Sequence, residues 1–266
     1  MKHLITLIEI FVFTFLSSQL SGQDRLSARQ IADLSYEVTR VAGMEATATM
    51  TIIDDKGRER VRKTAQVMKL YDNGETEKRL VRFLAPADVK GTGLLTFDYK
   101  TKNDDIWLYL PALRKTRRIV SSEKSKSFMG SEFSYADMTP PTLDDFKFDL
   151  LGDADVRRTA CWKIEMTAVD DDIADENGFS KRISFIGKQD YMIRKAIYYD
   201  IDGELHKELN VFEIKEIDPQ NHKFRAMHLE MENKQNGRKS ILKMEKVVFN
   251  PNVKDEYFSV RYLERE

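Results

Sequence analysis

The sequence predicts a mainly β protein in which a single antiparallel sheet curls over its own apolar face. About ten or eleven segments alternate apolar and polar residues with a period of two. Short turns rich in Asp, Asn and Gly separate these segments, which favours hairpins between neighbouring strands. One amphipathic helix near the start supplies a cover, because a long meander tends to curl and hide its apolar face.

The helix is predicted over residues 28–42, with Gly43 ending it. Ser27 and Gln30 have the spacing of a capping box, in which each side chain bonds the backbone N–H of the other residue. Arg40 falls on the polar side of this helix. The apolar side is a single stripe of four residues: Ile31, Leu34, Val38 and Val41. We therefore expect the helix to lie on the sheet as a lid.

The strands on either side of the middle of the chain follow from the same alternation. The first group covers residues 45–53, 58–71, 78–84 and 95–99, the last of these with one buried and one solvent-facing side. The second group covers residues 162–168, 181–188, 191–200, 204–217, 224–233 and 239–249. An acidic stretch, residues 170–178, is predicted to be a solvated hairpin loop, and a tail, residues 251–262, to turn once and dock.

A central stretch, residues 104–138, is densest in aromatic residues, clustered cations and turn-forming residues. Its strand carries Trp107 and Tyr109 on one face and Ile106, Leu108 and Leu110 on the other. Both faces are apolar, so we expect both to be buried. Which face would line a cavity stays open at this point.

The first 22 residues have the pattern of a secretory signal peptide, with a basic start, an apolar run and small residues near Gly22. We expect cleavage near Gly22 and one domain over residues 23–266, because no Pro/Gly/Ser-rich linker divides it. The chain has 43 Lys and Arg against 44 Asp and Glu, a net charge of −1. That balance gives no support for nucleic-acid binding.

Catalytic and metal-binding patterns are missing from the sequence. The only cysteine, Cys161, sits in a strand-like run and is expected to be a small buried hydrophobe. His206, His222 and His228 lack the short spacing of metal ligands. We therefore predict no enzyme activity, no cofactor and no metal.

The central stretch resembles a known family. It reads Trp-Leu-Tyr-Leu-Pro at 107–111, a basic continuation, and Ser-Phe-Met-Gly-Ser-Glu-Phe-Ser-Tyr-Ala-Asp-Met at 127–138. This pattern resembles the outer-membrane lipoprotein-sorting, LolA-like proteins. The resemblance implies an incomplete, half-open β-barrel covered by helices.

The resemblance also implies a function. LolA-like proteins carry lipoproteins or other lipids through the periplasm, from an inner-membrane exporter to an outer-membrane acceptor. No cysteine follows the signal segment to take a lipid, so a soluble periplasmic carrier, expected to be a monomer, is favoured over an anchored receptor. The alternative is a periplasmic sensor or regulatory module of the same fold that binds lipoprotein signals.

The candidate site is an apolar cavity for acyl chains, since one curved sheet with one helix leaves its inner face short of packing partners. Methionine suits variable apolar ligands because it is unbranched and polarizable. The cavity candidates are Trp107, Tyr109, Leu110, Phe128, Met129, Phe133, Met166, Met227 and Met231. Arg114, Lys115, Arg117 and Arg118 form either a solvated strand end or a cationic rim for lipid phosphate or an acidic partner.

Overall fold

The computed structural model describes residues 26–265, so the predicted signal peptide lies outside the described residues. The strands are β1 (Gly43–Ile53), β2 (Glu59–Tyr71), β3 (Thr76–Ala85), β4 (Gly93–Tyr99), β5 (Asp105–Leu110), β6 (Lys115–Ile119), β7 (Phe146–Val156), β8 (Thr159–Ala168), β9 (Lys181–Gly187), β10 (Ile193–Tyr199), β11 (Leu205–Asp218), β12 (Lys223–Asn233) and β13 (Lys239–Phe249). The α-helices are α1 (Ala28–Glu37), α2 (Asp171–Asn177) and α3 (Val260–Leu263).

All 13 strands form one antiparallel sheet in the order β6-β5-β4-β3-β2-β1-β13-β12-β11-β10-β9-β8-β7. Each half of the chain is a meander of hairpins, and the halves join where β1 pairs with β13. The sheet does not close, so β6 and β7 are its two edges. The predicted half-open barrel is confirmed.

The sheet has two more strands than the upper end of the predicted range. The basic run after Pro111 turns back as the separate strand β6, because Arg114 adopts a left-handed conformation with φ +47°. β7 is an edge strand with many exposed residues, and its alternation is correspondingly weak in the sequence. The acidic stretch is α2 and not a loop: the Asp170 carboxylate caps it, accepting from the Ile173 N–H at 2.9 Å.

α1 begins with the predicted capping box but ends at Glu37, five residues before the predicted end. The N–H of Phe224 donates a hydrogen bond to the Val38 carbonyl at 2.8 Å, and Lys223 Nζ donates one to the Glu37 carbonyl at 2.8 Å. These bonds from β12 replace helical ones and turn the chain toward β1. Gly43 lets the backbone at Asn250 approach closely, since a Cβ at residue 43 would lie 2.2 Å from the Asn250 carbonyl oxygen.

The inner face of the sheet carries the main core. One cluster joins side chains from strands far apart in the sheet, including Ile106 on β5, Met231 on β12 and Tyr198 on β10. Such strands can share a cluster only if the sheet curves around it. The segment between β6 and β7 adds Phe128 and Phe133 to this core, so it fills one end of the half-barrel.

The outer face carries a second cluster, built by the C-terminal tail. Val253, Phe258 and Leu263 pack there on Leu80 and Leu95, and the predicted docking of the tail is confirmed. β4 is therefore covered on both faces, and its predicted solvent-facing side is wrong. Gly93 allows this docking, because a Cβ there would lie 2.5 Å from Leu263 Cδ1.

Candidate functional site

A cavity of about 360 Å³ lies between the inner face of the sheet, α1 and the segment 137–143. Its wall is largely apolar and draws on both halves of the sheet: Leu94 and Val81 from one half, Met166, Leu229 and Leu242 from the other. The volume lies within the ~300–1,000 Å³ of ligand pockets. The end of the half-barrel that the β6–β7 segment leaves unfilled therefore has the size of a ligand pocket.

α1 covers this space, as the sequence predicts for a lid. Ala32, Ser35 and Tyr36 face the cavity. Arg29 ties the helix to the far side of the opening through an ion pair to Asp144 at 2.7 Å, with both side chains largely exposed. Exposed pairs of this kind contribute ~0–1 kcal/mol, so the tie is weak. Opening of the helix stays a prediction.

The buried side of α1 differs from the predicted stripe. It consists of Ala28, Ile31, Ala32 and Ser35. Ile31 packs on Ile164 and Ile186, whereas Leu34 and Val38 are half-buried. Val41 lies beyond the helix end and belongs to a separate cluster with Met44 and Met68. The buried side differs from the predicted apolar stripe because the helix ends at Glu37, before Val38 and Val41.

Arg40 is buried, contrary to its predicted place on the polar side of a longer helix. Its guanidinium lies 3.3 Å from the Asp98 carboxylate and 2.6 Å from the Tyr36 hydroxyl, and it also donates to the Gly74 carbonyl. Burial, with Asp104 and Glu77 nearby, raises the pKa of Asp98 to about 7. The chain after α1 is thus fastened to β4 by a buried polar cluster.

Glu77 and Arg79 belong to the same cluster. Burial opposes the charge of Glu77, but Arg79, Arg225 and Arg40 together hold the pKa of its carboxyl below the usual value. Arg79 also donates to the Met138 carbonyl at 2.9 Å, which holds the segment 137–143 against β3. Arg79 is therefore committed to structural partners.

Two further arginines on the cavity wall form no ion pair of 4 Å or less among residues 26–265, although Arg225 is close enough to Glu77 to lower its pKa. Arg182 on β9 donates to the Met166 sulfur at 3.6 Å, and its Nε is buried without a hydrogen bond. Arg225 on β12 contacts the Met68 sulfur, and its Nε is also unbonded. Burial lowers the pKa of Arg225 to about 10. The apolar cavity thus holds cationic groups on its wall.

The segment between β6 and β7 is locked to the second half of the sheet. The backbone N–H of Glu132 donates to Ser240 Oγ at 2.9 Å, and its buried carboxylate accepts from Asn233 Nδ2 at 3.0 Å. Arg238 Nε lies 3.0 Å from the same carboxylate, and Lys207 Nζ donates to the Glu132 carbonyl at 2.9 Å. This Glu132 latch fixes Phe128 and Phe133 inside the half-barrel.

The nine residues predicted for the cavity separate into distinct places. Met166 lines it. Trp107 and Tyr109 lie on the outer face, in the cluster of the C-terminal tail, because β5 presents Ile106 and Leu108 inward. Phe128, Phe133 and Met231 are packed in the inner core, with Leu110 and Met129 against it, and Met227 is buried outside the lining. Contact of any of them with lipid stays a prediction.

The four cations of the predicted rim are exposed on or beside the edge strand β6. Arg117 forms an ion pair with Glu123 at 2.9 Å, and Arg118 forms one with Asp105. Arg114 and Lys115 are exposed. Charged side chains on an edge strand also hinder pairing with other chains, which fits the solvated-end interpretation. The role of these cations as a rim for anions stays a prediction.

Sequence reasoning missed Arg182, Ser184 and Arg225 as wall residues. In β9 the apolar residues Ile183 and Phe185 alternate with Arg182 and Ser184, so the pattern favours the wrong inward face. The one available signal is that Ile186 shares the parity of Arg182 and Ser184. Alternation alone therefore does not tell which residues of β9 face inward.

Within residues 26–265, no group of three His, Cys, Asp or Glu side chains could hold a metal ion. Cys161 is buried, as predicted, and burial raises the pKa of its thiol. Over the same residues, none of the helices combines the length and the apolar character that crossing a bilayer requires.

The fold is shared with solved bacterial proteins. A putative outer membrane lipoprotein-sorting protein domain from Vibrio parahaemolyticus matches with a TM-score of 0.81 and 28% identity, covering 90% of this chain and 98% of that one. A DUF1329 family protein from Desulfovibrio piger matches with a TM-score of 0.82 and 26% identity, covering 89% and 97%. A LolA superfamily protein from Nitrosomonas europaea has a TM-score of 0.68 at 16% identity, covering 90% and 100%, which shows a shared fold.

A family model described as "-like: Uncharacterized protein" matches residues 75–265. A search of the curated proteins finds no match.

Proposed function

Since the chain belongs to the family of uncharacterized proteins whose model matches residues 75–265, and has the LolA-superfamily fold, we propose that it is a periplasmic lipid carrier. It binds the acyl chains of a lipoprotein or another lipid in its cavity. It takes them from an inner-membrane exporter and delivers them to an outer-membrane acceptor.

The cavity carries this proposal. The sheet and α1 enclose an apolar space of about 360 Å³, which is suited to an acyl chain. A protein with a purely structural role would not need such a space. Filling it with hydrocarbon would remove apolar surface from water at ~25 cal/mol per Å². The lipoprotein-sorting name of the Vibrio parahaemolyticus domain, 28% identical over nearly its whole length, supports the same conclusion.

The weak tie between α1 and Asp144 supports a carrier that loads and unloads. Arg29 also stacks near the Phe148 ring, 5.7 Å from its centroid, at the edge of the cavity. Opening there would break this exposed pair and separate Ile31 from Ile164 and Ile186, while the Arg40 cluster holds the chain after the helix. The helix can then hinge about its C-terminal end.

The test is transfer of a radiolabelled or fluorescent lipid between donor vesicles and acceptor vesicles, after mass spectrometry has identified the lipid extracted with protein from cell envelopes. Val81→Trp fills the cavity from its wall and should abolish transfer. Val61→Trp, at an exposed position on β2, is the matched control and should transfer normally.

Two results would contradict the proposal. Protein from envelopes that carries no extractable lipid and takes up none from vesicles is not a lipid carrier. Normal transfer by a folded Val81→Trp variant would show that the acyl chain does not bind in this cavity. Binding of lipid without any delivery to acceptor vesicles would instead favour the regulatory module of the same fold.

A further inference from the structure

The cavity wall contains buried donors that have no hydrogen-bond partner within the described part of the chain. Across residues 26–265, five buried side-chain nitrogen or oxygen atoms lack a hydrogen-bond partner. Three of them belong to cavity-lining residues: Arg182 Nε, Ser184 Oγ and Arg225 Nε. Orphaned buried donors are costly and rare, so three around one space need an explanation.

Ser184 is the most enclosed of the three, with 4% of its surface exposed. It lies two residues from Arg182 on β9, so the two side chains share the cavity face of the strand. Ile164 and Met166, directly across on β8, give this polar pair apolar neighbours. The hydroxyl and the guanidinium are thus set into hydrocarbon surroundings.

The charges on the wall do not cancel. Arg79 is paired with Glu77, and Arg225 is close enough to Glu77 to lower its pKa, whereas Arg182 is in no ion pair within the described part of the chain. Asp137 is the carboxylate on the lining, and it accepts from the Ser134 N–H at 2.7 Å and the Ser134 hydroxyl at 2.9 Å. The cavity therefore has more cationic donors than carboxylates on its wall, and an anionic group of a ligand would complement them.

The volume limits the apolar part of the ligand. An apolar cavity of ~150 Å³ holds a six-carbon ring. At the same volume per carbon atom, 360 Å³ holds one chain of about fourteen carbons. Several acyl chains would not fit unless the half-barrel opened further.

We propose that Arg182 and Ser184 bind the acidic head group of a single-chain amphiphile whose tail occupies the rest of the cavity. This rests on the proposed function and narrows its ligand to a fatty acid or a monoacyl phosphate. The guanidinium fork of Arg182 and the hydroxyl of Ser184 donate to carboxylate or phosphate oxygens. Selectivity then comes from the head group, since the apolar wall accepts any chain of suitable length.

The experiment compares ligands that differ only in the head group. The full chain is loaded with the uncharged dye Nile red and titrated with palmitate, hexadecanol or palmitoyl lysophosphatidate at pH 8, below their micellar concentrations. We expect at least one acid to displace the dye at about tenfold lower concentration than hexadecanol, as a charge-assisted hydrogen bond predicts. Preference for palmitate identifies a carboxylate ligand, and preference for lysophosphatidate a phosphate ligand.

Variants then assign the preference to the wall. Arg182→Leu should bind acid and alcohol alike, with hexadecanol affinity unchanged, and Ser184→Ala should lose part of the preference. Arg60→Leu, at an exposed position on β2, is the control and should keep it. The melting temperature of Arg182→Leu should stay close to that of the unmodified protein, because the substitution leaves no buried carboxylate without its partner within the described residues.

Equal binding of acid and alcohol by the unmodified protein would overturn the head-group site and leave the carrier function standing, and this comparison needs no variant. An Arg182→Leu variant that keeps the preference would also overturn the site. Failure of both palmitate and hexadecanol to displace the dye would overturn the carrier function and the head-group site together.

Discussion

Replacing Glu132 by alanine should destabilise the protein by ~2–4 kcal/mol. The substitution removes the carboxylate that Asn233 and Arg238 share but keeps the backbone bonds to Ser240 and Lys207. The buried Asn233 amide then lacks an acceptor, and an unsatisfied buried group of this kind lowers the free energy of unfolding by ~1–3 kcal/mol. The ion pair adds only ~1 kcal/mol, because about a third of the Arg238 side chain (35%) is exposed and screened by solvent.

Equilibrium urea unfolding measures this loss, and the slope against urea should not change if both states keep their compactness. Glu132→Gln should cost ~1 kcal/mol, because the amide oxygen still accepts from Asn233 and the ion pair alone is lost. Glu256→Ala, at an exposed position, should stay within ~0.5 kcal/mol. A loss below ~0.5 kcal/mol for Glu132→Ala would refute the view that this latch holds the β6–β7 segment in the half-barrel.

The remaining predictions concern other parts of the chain. Trp107→Ala should cost less than the ~3–5 kcal/mol of a fully buried aromatic residue, since Trp107 is half-buried on the outer face, and Nile red displacement should be unchanged. Asp98→Asn should flatten the pH dependence of the free energy of unfolding. The pKa of Asp98 is about 7 in the folded protein and near 4 in the unfolded chain, so this residue makes stability fall as pH rises from about 4 to about 7. Urea midpoints at four pH values check this, and an unchanged slope in the variant would contradict the buried position of the carboxyl. Protein from its native host should begin near Gln23, and an intact mass that retains residues 1–22 or includes an acyl group would contradict export as an unlipidated carrier.

Strands and turns were predictable because each half of the sheet is built from local hairpins. Alternation and turn residues are short-range signals, and they located β1, β2 and β8 to within a few residues. They failed where packing on both faces removes the alternation, as in β4, and where an edge strand such as β7 is exposed on both.

The site was less predictable for a related reason. In β5 both faces are apolar, so the sequence could not tell that Trp107 faces the C-terminal tail. The docking of that tail depends on contacts some 150 residues apart, as between Thr116 and Glu264, which no local pattern encodes. Arg182 and Arg225 looked like surface cations, because an arginine inside an apolar wall departs from the usual preference for exposure.

The pairing of β1 with β13 determines when the sheet can be finished. The partners meet across 205 residues of chain, as the bond between Glu45 and Asn250 illustrates, whereas every other strand pair joins neighbours in sequence. Closing so long a loop is a slow step, and β1 has one unpaired edge until it occurs. The first six strands can therefore form a sheet early, but the cavity, whose wall needs both halves, exists only once the end of the chain has arrived.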